Sequence, residues 1–365
     1  MSSIWGERLK ISIFGESHGA GIGVVIDGLP AGERIDLEEV AFQLKRRAPG
    51  RDETTTRRIE ADRAEILSGI YDNSTNGAPL CAIIRNSDTH SGDYDELSHI
   101  PRPGHADYTA HIRYGGHNDY RGGGHFSGRL TAPLGFAGAV CMQILSRRGV
   151  TFGAHLLSVA DIQDKAFDPV DISPGLLNEL SRTLFPVINI EAAEKMRAAI
   201  ETARLDGDSV GGVVECGVTG LPAGLGDPIF GGVESRLSSL IFGIPAVKGL
   251  EFGEGFAAAA LRGSANNDLF FYKDGTVKTV TNRHGGILGG ITSGMPLIFR
   301  AAFKPTPSIF KTQQSVDLDT GCTVELQMHG RHDPCIAVRA VPVVEAAAAV
   351  CLLDLFLEAF GYDIG

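Results

Sequence analysis

The chain has 365 residues, with 33 Lys plus Arg against 44 Asp plus Glu, a formal net charge of -11 and only 21% charged residues. That acidic balance excludes a protein whose main work is to coat nucleic acid, because whole-surface phosphate binding needs a basic excess. With 43% hydrophobic residues disorder as the main state is excluded as well, and the length suits one large domain over 1–365.

Positions 8–14 alternate polar and apolar side chains, as a half-buried strand does, and run into Gly15-Glu16-Ser17-His18-Gly19. Val24-Val25-Ile26 then supplies the return strand of a hairpin. Asp36 reads as a helix N-cap with Glu39 at the capping-box position, and Leu37, Val40, Ala41 and Leu44 share one helical face that ends in Lys45-Arg46-Arg47 before Pro49-Gly50. Further helices are expected over 129–148, 190–205, 233–242 and 343–360, and strands over 210–218, 249–252, 297–303 and 336–341. Gly211-Gly212-Val213-Val214 followed by Gly220-Leu221-Pro222-Ala223-Gly224 echoes Gly23-Val24-Val25 followed by Gly28-Leu29-Pro30-Ala31-Gly32, which points to an internal two-fold repeat. The order shows no regular βαβ alternation, so the expected fold is of the α+β type, an α/β arrangement of helices packed with antiparallel sheets.

No uninterrupted apolar run reaches the roughly 18 residues of a membrane helix, and the opening Met1-Ser2-Ser3-Ile4-Trp5-Gly6 is not a basic stretch leading into an apolar one. The expectation is a cytoplasmic protein that engages no membrane. The six cysteines, Cys81, Cys141, Cys216, Cys322, Cys335 and Cys351, form no CxxC pair and no regular framework, so buried reduced thiols are expected. Glycine is the outlier. Its 47 residues are nearly twice the ordinary usage of roughly 7%, and they interrupt apolar runs, as backbone approaching a ligand does.

Six of the eleven histidines (His90, His99, His105, His111, His117 and His125) fall between positions 90 and 125. Their spacing matches no HExxH, HxH or finger pattern, so no metal site is expected. His18, at a strand end among small residues, and His105, in the turn Arg102-Pro103-Gly104-His105-Ala106-Asp107, are candidate proton donors, the second with a carboxylate nearby. For His90, His99, His111, His117 and His155 a surface or hydrogen-bonded core role is the better reading. Basic residues gather at Lys45-Arg46-Arg47, Arg51 and Arg57-Arg58, as a solvated face or an anion site. Arg121-Gly122-Gly123-Gly124-His125-Phe126-Ser127-Gly128-Arg129 opens a predicted helix, where free N–H groups suit an anion, yet it is neither a Walker A loop nor a dinucleotide fingerprint. The pairs in Gly285-Gly286-Ile287-Leu288-Gly289-Gly290 suit a packed turn or a flat cofactor against bare backbone.

Taken together, these segments resemble the chorismate synthase family. The resemblance rests on Gly15-Glu16-Ser17-His18-Gly19, Arg102-Pro103-Gly104-His105-Ala106-Asp107-Tyr108-Thr109, Asp119-Tyr120-Arg121-Gly122-Gly123-Gly124, Asn282 with Gly285 to Gly290, Lys304-Pro305-Thr306, and Gly330-Arg331-His332-Asp333-Pro334-Cys335 with Arg339 and Glu345. It implies helices sandwiched between antiparallel β-sheets and a homotetramer. It implies conversion of the small molecule 5-enolpyruvylshikimate 3-phosphate to chorismate with reduced FMN, and NADPH as a candidate reductant. By the resemblance, His18, His105, Asp333 and Ser17 are catalytic, while Arg47, Arg51, Arg129 and Arg339 hold the substrate anion. FMN contacts fall to His125, Phe126, Ser127, Ala246, Gly289, Lys304, Pro305, Thr306, Pro307, Ser308 and Arg331. The chain departs from the family where Arg-Ser usually follows the triple glycine and His125-Phe126 stands here. Losing a permanent charge there predicts a weaker or pH-dependent flavin contact. Other classes weighed are a phosphate-ligand binding protein that kept the scaffold without catalysis, a His-rich metal-dependent hydrolase, and, more remotely, an RNA binder.

Overall fold

The computed structural model describes residues 3–50, 62–87, 98–328 and 332–362. Arg51, Arg57, Arg58, His90, Gly330 and Arg331 lie outside the described residues. Two five-stranded antiparallel sheets frame the molecule. The first contains β1 (Ile4–Trp5), β2 (Lys10–Gly15), β3 (Gly21–Asp27), β4 (Ala64–Ser68) and β5 (Leu80–Arg85), ordered β1-β2-β3-β5-β4. The expected hairpin is β2–β3, with Ile13 opposite Val24. The second contains β6 (Thr151–Val159), β7 (Ile162–Gln163), β8 (Gly212–Thr219), β9 (Val247–Phe252) and β10 (Leu297–Phe303), ordered β9-β10-β8-β6-β7. The two copies of the Gly-Val-Val echo occupy β3 and β8, the middle strand of each sheet.

Helices α1 (Leu37–Arg47), α3 (Thr131–Ser146) and the C-terminal α8 (Ala337–Phe360) fill the space between the sheets, while α2 (Asp107–Tyr114), α4 (Pro174–Leu180), α5 (Ile190–Leu205), α6 (Val233–Ile241) and the short α7 (Gly263–Asn266) complete the set. α3 packs on the first sheet, α8 on the second, and the two cross each other. This is the expected sandwich of helices between antiparallel sheets. Residues of both sheets and of the three inner helices belong to one continuous hydrophobic core.

Local signals explain much of this. Asp36 caps α1, accepting from Glu38 N at 2.9 Å and Glu39 N at 3.2 Å. Glu39 closes no capping box, because its carboxylate takes Gln43 Nε2 and Arg182 Nη1 instead. The strand expected over 336–341 is instead helical, since α8 begins at Ala337 and carries Pro342 inside it. A short apolar run cannot be assigned by periodicity when every face is buried. Every α8 residue from Ala337 to Leu357 except Arg339 is buried, so packing outweighs the one hydrogen bond that proline removes. By length and hydropathy α8 would pass for a membrane span, but its apolar stretch is wholly buried, against α1, α3, α6 and the second sheet. All six cysteines are free; Cys141, Cys216, Cys335 and Cys351 are buried, but Cys322 is exposed at a loop tip where no core covers it.

Candidate active site

The basic end of α1 is divided among three environments. Lys45 is exposed. Arg46 turns into the core and pairs with Glu345 of α8, whose Oε1 also accepts from Ala154 N at 2.9 Å. Arg47 enters a cavity that it shares with Arg129, Arg339, Asp333, Thr306 and His332. It donates to Thr131 Oγ1 at 2.9 Å, to Asp62 Oδ2 at 2.7 Å and to the Gly128 carbonyl at 2.9 Å.

Asp62 is the residue that sequence reading missed. Its buried carboxylate bridges Arg47 and Arg129, and Arg129 Nε also donates to Asn86 Oδ1 at 3.1 Å. Asp62 follows a charged stretch with no motif of its own, so only the folded chain singles it out. Arg339 lies beside this pair, donating to the Arg47 carbonyl at 3.1 Å and to Asp333 Oδ2 at 2.5 Å. Three guanidiniums therefore face two carboxylates, and the cavity keeps a surplus positive charge. Burial lowers the Arg47 pKa to about 10, Arg339 and Arg129 adding to the effect while Asp62 opposes it. Burial by itself would raise Asp62, but Arg47 and Arg129 outweigh it and hold the carboxyl below its usual range.

The triple glycine brings the two candidate histidines together. Gly122, Gly123 and Gly124 all have positive φ, and a Cβ at Gly122 would lie 2.3 Å from His18 Nδ1 and 2.9 Å from Ser17 Oγ. A Cβ at Gly123 would lie 3.0 Å from Cε1 of His105. The bare backbone thus makes room for both imidazoles, a tighter use than the open anion nest expected from sequence. Ser17 N donates to the Gly124 carbonyl at 3.1 Å, which fixes the turn carrying Ser17 and His18.

His105 is held from one side. Its Nδ1 lies 2.6 Å from Asp107 Oδ1, and Arg102 donates to Asp107 from Nε at 2.7 Å and from Nη2 at 2.8 Å. Burial pushes the His105 pKa below its ordinary value, helped by Arg102 and Lys304, against the pull of Asp107. The Lys304–Ser308 loop docks on this same turn. Lys304 Nζ donates to the Gly104 carbonyl, Arg102 Nη1 lies 3.3 Å from Ser308 Oγ, and Pro307 sits against Gly104.

Other expected contacts are placed differently. His125 accepts nothing from the arginine cavity: Nδ1 donates to the Gly15 carbonyl at 2.8 Å and Nε2 pairs with Ser3 Oγ at 2.9 Å. His125 and Phe126 instead line an adjoining, larger hollow with Trp5, Ile13 and Leu240. Ser127 lines the arginine cavity and caps the following turn, accepting from Arg129 N at 3.3 Å. Ala246 accepts from Lys304 N at 2.9 Å, beside the cavity residue Pro245. Gly289 lines neither space.

The chorismate synthase family profile matches residues 9–357. A chorismate synthase of Korarchaeum cryptofilum is 47% identical over 96% of this chain and 96% of its own length. One of Dehalococcoides mccartyi is 46% identical over 98% of each chain, and one of Thermococcus kodakarensis is 47% identical over 97% of each. A crystal structure of chorismate synthase superposes with a TM-score of 0.75 at 28% identity, covering 98% of this chain and 94% of its own. With the family profile spanning nearly the whole chain, relatives near half identical over their full length and a matching fold, the chain belongs to the chorismate synthase family.

Proposed function

We propose that the chain converts 5-enolpyruvylshikimate 3-phosphate to chorismate and phosphate, a lyase reaction in which the C–O bond to phosphate breaks and a ring proton leaves with no net redox change. The observation that carries this reading is the cavity where Arg47, Arg129 and Arg339 outnumber Asp62 and Asp333, with His18 and His105 set against one glycine run. The arginines hold the substrate's anionic groups and stabilise the charge that grows on the departing phosphate. His18 donates a proton toward that phosphate, with Ser17 beside it. His105 handles a proton at Nε2, and Asp333 keeps Arg339 oriented. Low dielectric inside the cavity strengthens each of these effects.

The residues present fit reduced FMN. Among the described residues Ser17 Oγ and Thr306 Oγ1 are buried without a hydrogen-bond partner, so each has bonding capacity that a ligand can use. Thr306, Lys304, Ser308, Ser127 and Ala246 are the residues that would hold it, with the expected Arg331 contact outside the described residues. When bound, reduced FMN supplies electron density to the substrate ring and recovers it by the end of the reaction. His125 and Phe126, which line the adjoining larger hollow, would meet the flavin from that side.

The chain acts as one unit, a reading supported by the core shared between both sheets, and a cytoplasmic place suits its chemistry. Self-association as a homotetramer is supported by the exposed aromatic hairpin Phe270–Lys273 with Thr276–Thr279, where Phe270 and Tyr272 face solvent. Anaerobic incubation of 5-enolpyruvylshikimate 3-phosphate with chemically reduced FMN, followed by chorismate absorbance, tests the activity. Turnover is expected. No turnover with FMN shown to bind would point to the scaffold-only alternative. A second arm with oxidised FMN plus NADPH reports whether the chain reduces its own flavin.

A further inference from the structure

The turn that carries His105 holds more machinery than a proton-handling histidine requires. Asp107 is buried, and Arg102 grips both of its oxygens: Nε and the Arg102 backbone N–H donate to Oδ2 at 2.7 and 3.0 Å, while Nη2 donates to Oδ1 at 2.8 Å. The remaining capacity of Oδ1 meets His105 Nδ1 at 2.6 Å. A carboxylate so strongly paired stays ionised, and its pKa is driven far below the ordinary range against the cost of burial. An ionised carboxylate only accepts, so Nδ1 must carry the proton. Arg102 Nη2 also lies 3.0 Å from Nδ1, but it only donates and is already directed at Asp107.

We propose that Asp107, fastened by Arg102, is a positioning residue that locks His105 as its Nδ1–H form, leaving the Nε2 lone pair free beside the Gly123 backbone. Among the described residues Nε2 has no hydrogen-bond partner, whereas the Nδ1 side is closed by the turn. Among the described residues the charged groups facing the ring are Arg102 and Asp107 from its own turn and Lys304 from the docked loop, with none from the glycine run itself. In an unconstrained imidazole either nitrogen carries the proton, and a ring free to exchange them would present an N–H where a lone pair is needed. The same logic governs an aspartate that fixes the tautomer of a catalytic histidine in hydrolases. This inference deepens the proposed role of His105 and rests on it for its catalytic meaning, but the tautomer itself is a property of the protein without ligands.

The test is a long-range proton–nitrogen NMR spectrum of the full chain labelled with ¹⁵N-histidine, without flavin or substrate, at pH 8, with His105→Gln identifying the resonance. His105 is expected to show a protonated Nδ1 and a bare Nε2. In Asp107→Asn the Nε2–H form should gain population, and turnover with reduced FMN should fall by about 10² to 10⁴, with the larger figure set by the hydrolase precedent. Asp107→Glu, which keeps the carboxylate, should restore part of both. A wild-type ring protonated at Nε2, or an Asp107→Asn spectrum unchanged from wild type, overturns the inference. If Asp107→Asn does not fold, the wild-type spectrum alone decides. The expected tautomer in a protein that makes no chorismate would overturn the proposed function and leave this inference standing.

Discussion

A methyl group at position 122 is enough to move His18. Gly122 has φ of +58° and its added Cβ would lie 2.3 Å from the imidazole, so alanine there brings both a left-handed backbone penalty of about 1–2 kcal/mol and a collision. Gly115 separates the two effects, because it has nearly the same φ, +59°, with nothing within 4 Å of a Cβ. Gly122→Ala should lower turnover at least tenfold, while Gly115→Ala should lose a similar few degrees of Tm and keep its turnover. Equal turnover in the two variants would show that the placement of His18 is immaterial. Asp62 is a second case of one residue setting a site, since it neutralises part of two buried arginines that would otherwise repel each other. Asp62→Ala should therefore cost stability, about 3–5 kcal/mol for an uncompensated buried charge, read as a fall in the denaturant midpoint.

At the scale of elements, the crossing of α3 and α8 decides how closely the layers approach. Gly138 faces Ala346 so tightly that a Cβ would lie 2.2 Å from the alanine Cβ and 2.3 Å from its Cα. Small residues here let two almost wholly buried helices meet backbone to backbone. Gly138→Ala should destabilise by about 1–3 kcal/mol, the usual cost of overpacking. Ala346→Gly should not restore it fully, because the Cα is almost as close as the Cβ. Complete rescue in a double-mutant cycle of urea midpoints would mean that only the methyl groups are in conflict. The same helix carries Glu345 to Arg46 and Asp354 to the backbone of Glu7, Arg8 and Leu9. Glu345 and Asp354 thus tie the C-terminal helix to α1 and to the edge of the first sheet.

For the whole molecule, a row of ionisable groups crosses the second sheet in register: His155 on β6, Glu215 on β8, Arg300 on β10 and Glu251 on β9. His155 is fully buried between Asp164 and Glu215, each at 3.0 Å. Burial opposes its charge, but the two carboxylates win and raise its pKa above 6.5. The resulting stability is complete below that unfolded value and is lost as pH rises through the raised folded value. The Tm advantage of wild type over His155→Gln should accordingly be widest near pH 6 and shrink toward pH 9. A constant gap across that range would mean that the ring is neutral in the folded protein. Asp164 and Glu215 have lowered pKa values, burial being outweighed by His155 and backbone donors, so their contribution fails only on the acid side.

The sequence by itself determined the elements whose signals are local. The β2–β3 hairpin, the Asp36 cap, the helix over 190–205 and the strand over 297–303 follow from alternation, capping and periodicity, and six motif blocks in order pointed to the family. Periodicity failed where burial is complete, as at 336–341, because a run with no solvent side has no pattern to show. Tertiary structure alone decided which charges meet. Lys45, Arg46 and Arg47 are neighbours in the chain, yet one faces water, one a core glutamate and one the cavity, since a helix turns each by about 100° toward a different partner. The same holds for Asp62, unmarked in sequence and central in space, and for the hydrogen bonds of His125 to Gly15 and Ser3, which no local signal announces. Local propensity is written residue by residue, whereas electrostatic roles depend on distances that exist only once the two sheets close on their helices.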